Sequence, residues 1–283
     1  MENIKKIISL LSGLLLFGFF ATAQPVPEHI SNKGIYDFLD EMASSHIIEL
    51  NTSIKPYNRS IILKKLRIIQ NQAEKLNKRQ RKELQFYLLD YALSDSSGSK
   101  PLGGHSKLDL FKNSNHFATG LNPVGFFYKD DQFSFALRPI WGIEYLSNDN
   151  DAFSRTWGAG RIYGQIGEHV GFYASLRDNH MTHVLSRPEH FTQREGGVYK
   201  GNSLGGGDYS EMRGGITYGW DWGDVSLIKD HLEWGDNYNG ANIRTGRAPS
   251  IGMIKLHLKP ARWFEFNYYH GWLVSEVVDS LES

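Results

Sequence analysis

The feature that most constrains the fold is a period-two alternation of apolar and polar residues in long segments. Over 133–145 the odd positions hold mainly Phe, Leu, Trp, Ile and Tyr, and the even positions include Ser, Arg, Gly and Glu. Similar alternation recurs over 212–222, 254–259 and 264–272. Because successive side chains of a strand point to opposite faces, these segments predict antiparallel strands with one apolar and one polar face.

A secreted β-sandwich and an outer-membrane β-barrel both produce such alternation. Here the strands are long, and the polar phase mixes full charges with glycine. Aromatic residues pair near strand ends, as in Trp220 with Trp222 and Trp263 with Phe264. A lipid-facing apolar band, aromatic girdles and a polar lumen are typical of the barrel, which we therefore favour. The pattern alone leaves the sandwich open.

The N-terminus has the layout of a secretory signal peptide over residues 1–23. Lys5 and Lys6 precede an apolar run over 7–20, and the small residues of 21–23 offer a cleavage site. The chain has no cysteine, so neither a lipid-modified N-terminus nor a disulfide is possible. We expect a bacterial envelope protein in the outer membrane. A formal net charge of +0 argues against binding to nucleic acid.

Residues 24–93 are predicted to form a small α-helical bundle in the periplasm. Ser60 and Asn77 are predicted to cap two of its helices. The predicted apolar stripes consist of Ile35, Phe38, Leu39 and Met42; of Ile62, Leu66 and Ile69; and of Leu84, Leu88 and Tyr91. Residues 94–104 read as a flexible linker, and the strands follow from 105 to 283.

Ten Lys or Arg residues fall between Lys55 and Lys82. A solvated helix face is the favoured interpretation, and a site for an anionic partner is the alternative.

Four stretches, 35–60, 160–180, 208–250 and 254–280, resemble the Wzi-like capsule assembly family in its Bacteroidetes form, with RemB-like gliding-motility proteins close. The resemblance implies a periplasmic helical bundle attached to an outer-membrane barrel of roughly eighteen strands. It also implies a non-enzymatic, lectin-like barrel that holds capsular polysaccharide at the cell surface. The alternatives are a structural component of gliding or secretion machinery, with protein partners at residues 31–93, and a porin or polysaccharide exporter.

The sequence contains about nine strand-like segments, half of what such a barrel needs. We therefore expect residues 105–283 to be the N-terminal part of the barrel and the chain to be truncated at its C-terminus. The expected fold is mainly β, a partial antiparallel barrel preceded by helices. Alone, it would leave two strand edges facing lipid.

The candidate saccharide-binding residues lie on the predicted polar phase and at one aromatic position. Charges of alternating sign in a lumen can pair with one another, or they can bind sugar hydroxyls and uronic-acid carboxylates. The candidates are Arg138, Glu144, Glu211, Arg213, Lys229, His231, Glu233, Trp234, Lys255, His257, Glu265 and Asn267.

No catalytic residue, cofactor or metal site is predicted. Ser203 matches an esterase pattern, but it lies in a glycine-rich loop with no helix after it. Three histidines, His180, His183 and His190, fall in a segment interpreted as a hairpin loop rather than a metal site. Asp149 and Asp151 are interpreted as a polar turn.

Overall fold

The computed structural model describes most of the helical and strand regions. The described residues are 26–50, 54–91, 117–121, 124–147, 151–183, 200–201, 205–235, 241–244, 250–261 and 263–272. The predicted signal peptide (1–23) and linker (94–104) lie outside them, as does the segment 273–283. Within the described part of the chain, no helix has the length and apolarity needed to cross a membrane.

Three α-helices and a short 3₁₀-helix form the N-terminal region, in agreement with the prediction. They are α1 (Lys33–Ser44), α2 (Arg59–Gln70), the 3₁₀-helix Ala73–Lys75 and α3 (Lys78–Tyr91). Almost all of the predicted apolar stripe residues pack into one buried core, and Leu88 lies at its edge. The hydrophobic effect of this shared core holds the helices together.

One predicted helix cap is confirmed and one is wrong. Before α3, the Gln80 amide donates to Asn77 Oδ1, and the Asn77 amide donates to Gln80 Oε1, both at 2.9 Å. This reciprocal pair satisfies two amides that the helix leaves free. Ser60, in contrast, lies inside α2, and Asn58 precedes the helix. The Asn58 side chain donates instead to Asp224 Oδ2 on the sheet, at 3.3 Å.

The rest of the described chain is a large antiparallel sheet. Its strands are β2 (Phe117–Leu121), β3 (Val124–Lys129), β4 (Phe133–Ser147), β5 (Ala152–Ile166), β6 (Val170–Met181), β7 (Lys200–Gly201), β8 (Gly207–Trp220), β9 (Gly223–Asp230), β11 (Ile251–Ala261) and β12 (Phe264–Trp272). The order is β12-β11-β9-β8-β6-β5-β4-β3-β2, with β7 beside β8. A separate two-stranded sheet joins β1 (Ile54–Lys55) to β10 (Glu233–Trp234).

The mainly β, antiparallel prediction is therefore confirmed, and closure into a barrel stays a prediction because β2 and β12 are the edges of the described sheet. Short turns connect β5 to β6 and β8 to β9 at one end, which we call the turn end. At the opposite end, which we call the loop end, β6 finishes and β8 begins.

The two faces of the sheet differ sharply, as the alternation predicts. The outer face carries exposed apolar side chains, and Trp141 is 81% exposed. Others on this face include Leu137, Ile143, Tyr145, Leu176, Met212, Ile216, Tyr218, Val225, Leu227, Ile254, Phe264, Phe266, Tyr268 and Trp272. The opposite, inner face carries most of the charged side chains of the sheet. The N-terminal region covers part of it, where Val26 and Ile54 pack into an apolar cluster with inner residues of the strands.

Candidate functional site

A buried ion cluster joins the N-terminal region to the inner face of the sheet. Glu28 is 0% exposed, and it accepts hydrogen bonds from Arg161 Nη1 on β5 at 2.9 Å and from Arg59 Nη1 on α2. The Arg59 guanidinium lies 4.0 Å from the ring centre of Tyr91 and 4.6 Å from that of Tyr163. Two cations therefore flank one carboxylate, and two aromatic rings pack against the Arg59 guanidinium.

The environment of Glu28 favours its charged form. Burial alone raises the pKa of this carboxyl, but the charges of Arg161 and Arg59 outweigh burial and hold the pKa well below its usual range. Glu28 is therefore ionised, as a carboxylate between two guanidinium groups should be.

A second contact ties the end of α3 to β4. Arg138 Nη1 donates to Asp90 Oδ1 at 2.5 Å, and Arg138 Nε donates to the Val124 carbonyl at 3.1 Å. Arg59 Nη2 donates to the Asp90 carbonyl at 2.8 Å. Arg138, a predicted lumen residue, thus lies on the inner face and pairs with the helical region.

A histidine pair lies where the N-terminal segment meets the end of β9. His29 Nε2 is 3.3 Å from His231 Nδ1 and 3.7 Å from Asp230 Oδ1. Tyr173 donates to Asp230 Oδ2 at 2.5 Å, and Arg213 Nη1 lies 3.6 Å from Asp230 Oδ1. Burial, with Arg213 as the next cause, lowers the pKa of His29 far below its ordinary value, so that His29 is neutral.

Near the turn end, the inner face carries a third ionic group. His257 Nδ1 lies 3.1 Å from Asp224 Oδ2, and its Nε2 lies 3.5 Å from Glu265 Oε1. Lys259 and Asn267 donate to Glu265 at 3.0 and 3.3 Å. Strands β9, β11 and β12 each contribute to this group, so it stiffens that part of the sheet.

At the loop end, the inner face carries a group that we call the loop-end cluster: Arg155, Trp157, Arg177, Asn179 and Tyr209. Arg155 donates to Asn179 Oδ1 at 2.8 and 3.2 Å. The guanidinium groups of Arg155 and Arg177 lie 5.5 and 5.9 Å from the Trp157 ring centre.

One further observation describes the binding capacity of the loop-end cluster. Arg177 pairs with Glu211 at 3.5 Å, but its Nε is buried without a hydrogen-bond partner among the described residues. A nearby cavity of about 450 Å³ belongs mainly to the other face, because Thr156, Gly158, Asp178, His180, Asp208 and Ser210, six of its nine lining residues, have the outer phase. An aromatic ring beside two guanidinium groups suits a ligand that is both ring-shaped and anionic.

The backbone at Gly142 makes room for Trp157. A Cβ at this position would lie 2.3 Å from Trp157 Cζ2, and Gly142 is the cross-strand partner of Trp157. Any larger residue would therefore force the indole ring to move.

Most of the predicted lumen residues share the inner face but not one site. Glu233 pairs with Lys55 at 3.6 Å, and the Trp234 ring is 5.7 Å from that of Tyr269. Lys255 lies on the inner face in β11, and Glu144 is exposed near the loop end of β4. The remaining residues on this face are Arg138, Glu211, Arg213, His231, His257, Glu265 and Asn267, whose contacts are given above.

The prediction for Lys229 is wrong. In β9, Asp224, Ser226 and Asp230 are buried, so the inner phase is even-numbered. Lys229 shares the outer phase with Val225 and Leu227. The error arises because Ile228 occupies a buried inner position, so polarity does not mark the face in this strand.

The loop interpretation of the histidine segment is also partly wrong. His180 lies in β6, with Nδ1 2.6 Å from Asp208 Oδ1 on β8, and His183 follows the strand. Asp151 immediately precedes β5. His190, Ser203 and Asp149 lie outside the described residues.

The sequence interpretation missed Glu28, Arg161 and the loop-end cluster. Strand β5 supplies three of these residues, Arg155, Trp157 and Arg161, and its outer phase is mostly Ser, Thr and Gly. Its alternation is therefore weak when it is read alone. Pairing β5 with the strongly alternating β4 would have assigned the phase.

Comparison of the chain with protein-family models, with curated proteins and with solved structures gives no match.

Proposed function

We propose that this chain forms part of an outer-membrane β-barrel of the Wzi-like kind, and that it anchors or helps assemble a surface polysaccharide without catalysing a reaction. The observation that carries the proposal is the loop-end cluster. It presents the Trp157 ring on the inner face beside the guanidinium groups of Arg155 and Arg177. Apolar sugar faces stack on such rings, and guanidinium groups bind carboxylates through two parallel hydrogen bonds.

The outer face supports a membrane location. Exposed apolar side chains extend over strands from β4 to β12, and so large a patch is unusual on a soluble monomer. Trp222 and Trp263 lie at the turn end, in the turns before β9 and β12, where an aromatic girdle would meet the lipid interface. In a barrel, the edges β2 and β12 would pair with strands beyond the described sheet.

The test is binding of the purified full chain to the capsular polysaccharide of the producing cells. We expect Arg177→Gln and Trp157→Ala each to weaken binding. The loss for Arg177→Gln should be roughly tenfold or more, since hydrogen bonds to charged groups contribute about 1.5–3 kcal/mol. Gly142→Ala should weaken binding as well. Gly142 has no side chain that could contact the ligand, so the effect would come from displacement of the Trp157 ring.

Arg67→Gln is the matched control, because Arg67 is exposed on α2 in the helical region. Equal binding by the wild type and the three cluster variants would contradict the proposal. In cells, deletion should release capsule into the medium while its synthesis continues; an unaltered capsule with impaired spreading would favour a role in motility.

A second candidate is a structural component of a gliding or secretion machine. The supporting observation is a basic surface on the helices, which carries the exposed residues Lys64, Arg67, Lys75, Lys78 and Lys82. Co-purification of an acidic protein that depends on these residues would support it. A conducting pore is less well supported, because the N-terminal region occupies the inner face through Glu28 and Asp90.

A further inference from the structure

Three side chains that can ligate a metal converge between the N-terminal segment and the end of β9. One ligand atom each from His29, Asp230 and His231 lies within 4.8 Å of the other two. His29 Nε2 is 3.3 Å from His231 Nδ1 and 3.7 Å from Asp230 Oδ1. In a tetrahedral zinc site with bonds of about 2.0–2.1 Å, ligand atoms are about 3.4 Å apart. The side chains therefore need little movement to surround one ion.

The surroundings orient these ligands. Tyr173 donates to Asp230 Oδ2 at 2.5 Å, and Oδ1, which accepts the His231 backbone amide at 2.8 Å, lies on the side of the histidines. His29 Nδ1 lies 2.6 Å from Ser31 Oγ. The Ser31 backbone amide also donates to Nδ1, at 3.1 Å. A metal at Nε2 would require the ring proton on Nδ1, so this amide contact would be lost while the hydroxyl accepts the proton. Asp230 is 1% exposed and His29 is 12% exposed, so water can reach the fourth position from the His29 side.

Arg213 opposes a cation at this position. Its Nη1 lies 3.6 Å from Asp230 Oδ1, the oxygen nearest to His29. The guanidinium charge repels a divalent ion and competes for the same carboxylate. The contact between Arg213 and Asp230 therefore limits the affinity of the site for a metal ion, and substitution of Arg213 tests this effect.

We propose that His29, Asp230 and His231 bind one divalent transition-metal ion, which links the N-terminal segment to the wall of the sheet. Two imidazoles, one carboxylate and an open position match zinc, whereas calcium and magnesium prefer oxygen ligands. Residues 29 and 230–231 are far apart in sequence, so the ion would act as a cross-link between two regions. This inference does not depend on the proposed binding of polysaccharide.

The full chain is purified in detergent and stripped of metal with a chelator. Zn²⁺ is then titrated into it, and calorimetry measures the binding. We expect one ion per chain. His29→Gln and His231→Gln should each weaken binding by about tenfold or more, because each removes a direct ligand. Arg213→Gln should strengthen it. His180→Gln is the control, since His180 is half exposed and pairs with Asp208 outside the cluster.

A second measurement uses only the wild-type chain and so does not depend on the folding of variants. Bound Co²⁺ should give the strong visible absorption of a tetrahedral site, and Zn²⁺ should abolish it by displacement. Absence of this absorption would overturn the proposal, as would wild-type affinity in a folded His29→Gln variant.

Discussion

The helical region has two kinds of buried contact, one between its own helices and one with the sheet. Its internal core is apolar, with Leu39, Met42, Ile62, Leu66 and Ile69 fully buried. Its contact with the sheet adds buried ions, chiefly Glu28 with Arg59 and Arg161, to a smaller apolar cluster around Val26 and Ile54. Apolar packing stabilises without fixing direction, whereas a buried ion cluster offsets its desolvation cost only in one geometry. The core therefore holds the helices together, and the ion cluster specifies where they dock.

The largest effect should come from removing the carboxylate at the centre of the docking surface. Glu28→Gln removes the carboxylate partner of Arg161 and leaves Arg59 with the more distant Asp90, at 3.8 Å; breaking a buried pair in this way costs about 3–5 kcal/mol. Hydrogen exchange over residues 26–50 should report a loss of protection. Glu74→Gln, at an exposed position of the 3₁₀-helix, is the control. Unchanged protection in Glu28→Gln would mean that the ions do not hold the docked state.

A cavity in the apolar core should have a somewhat smaller effect. Leu66 is 0% exposed, and Leu66→Ala should destabilise the helices by about 3 kcal/mol through lost burial and an unfilled cavity. Ile68, two residues along the same helix, is 44% exposed, and Ile68→Ala should change stability by less than about 0.5 kcal/mol. Denaturant unfolding followed by circular dichroism would measure both. Equal effects would show that the core is looser than the burial of Leu66 indicates.

The same contrast explains what could be read from the sequence. The stripe residues of α2 recur with helical spacing, so the apolar core could be predicted from a local pattern. Glu28 and Arg161 are 133 residues apart, and nothing near either residue marks its partner. The alternation of β4 and β12 likewise predicted the two faces of the sheet. The face of the sheet on which Trp157 and Arg155 lie follows from the pairing of β5 with β4. The sequence of β5 alone does not reveal that pairing.

Acidification should weaken the docking surface and leave the apolar core unaffected. Because the folded-state pKa of Glu28 lies below its ordinary value of 4.5, the docked state gains stability that is fully present above pH 4.5. That stability is lost as the pH falls below 4.5 towards the folded-state pKa. Hydrogen exchange over residues 26–50 should show docking weaken first as the pH falls through 6.5, because released His29 becomes protonated, and weaken further below pH 4.5 as Glu28 is protonated. In Glu28→Gln this pH dependence should be reduced.

The smallest effect should come from an ion cluster that resembles the docking cluster in composition but lies in solvent. Arg79 donates to Glu83 at 2.8 Å and pairs with Glu41, and its side chain is 55% exposed. Water and salt screen such contacts, so Arg79→Gln should leave the unfolding midpoint nearly unchanged, and added salt should remove what difference remains. Thermal unfolding at low and high salt would measure this. If Arg79→Gln released the helices as strongly as Glu28→Gln, burial would not be what separates the two clusters, and the distinction between core and docking surface would fail.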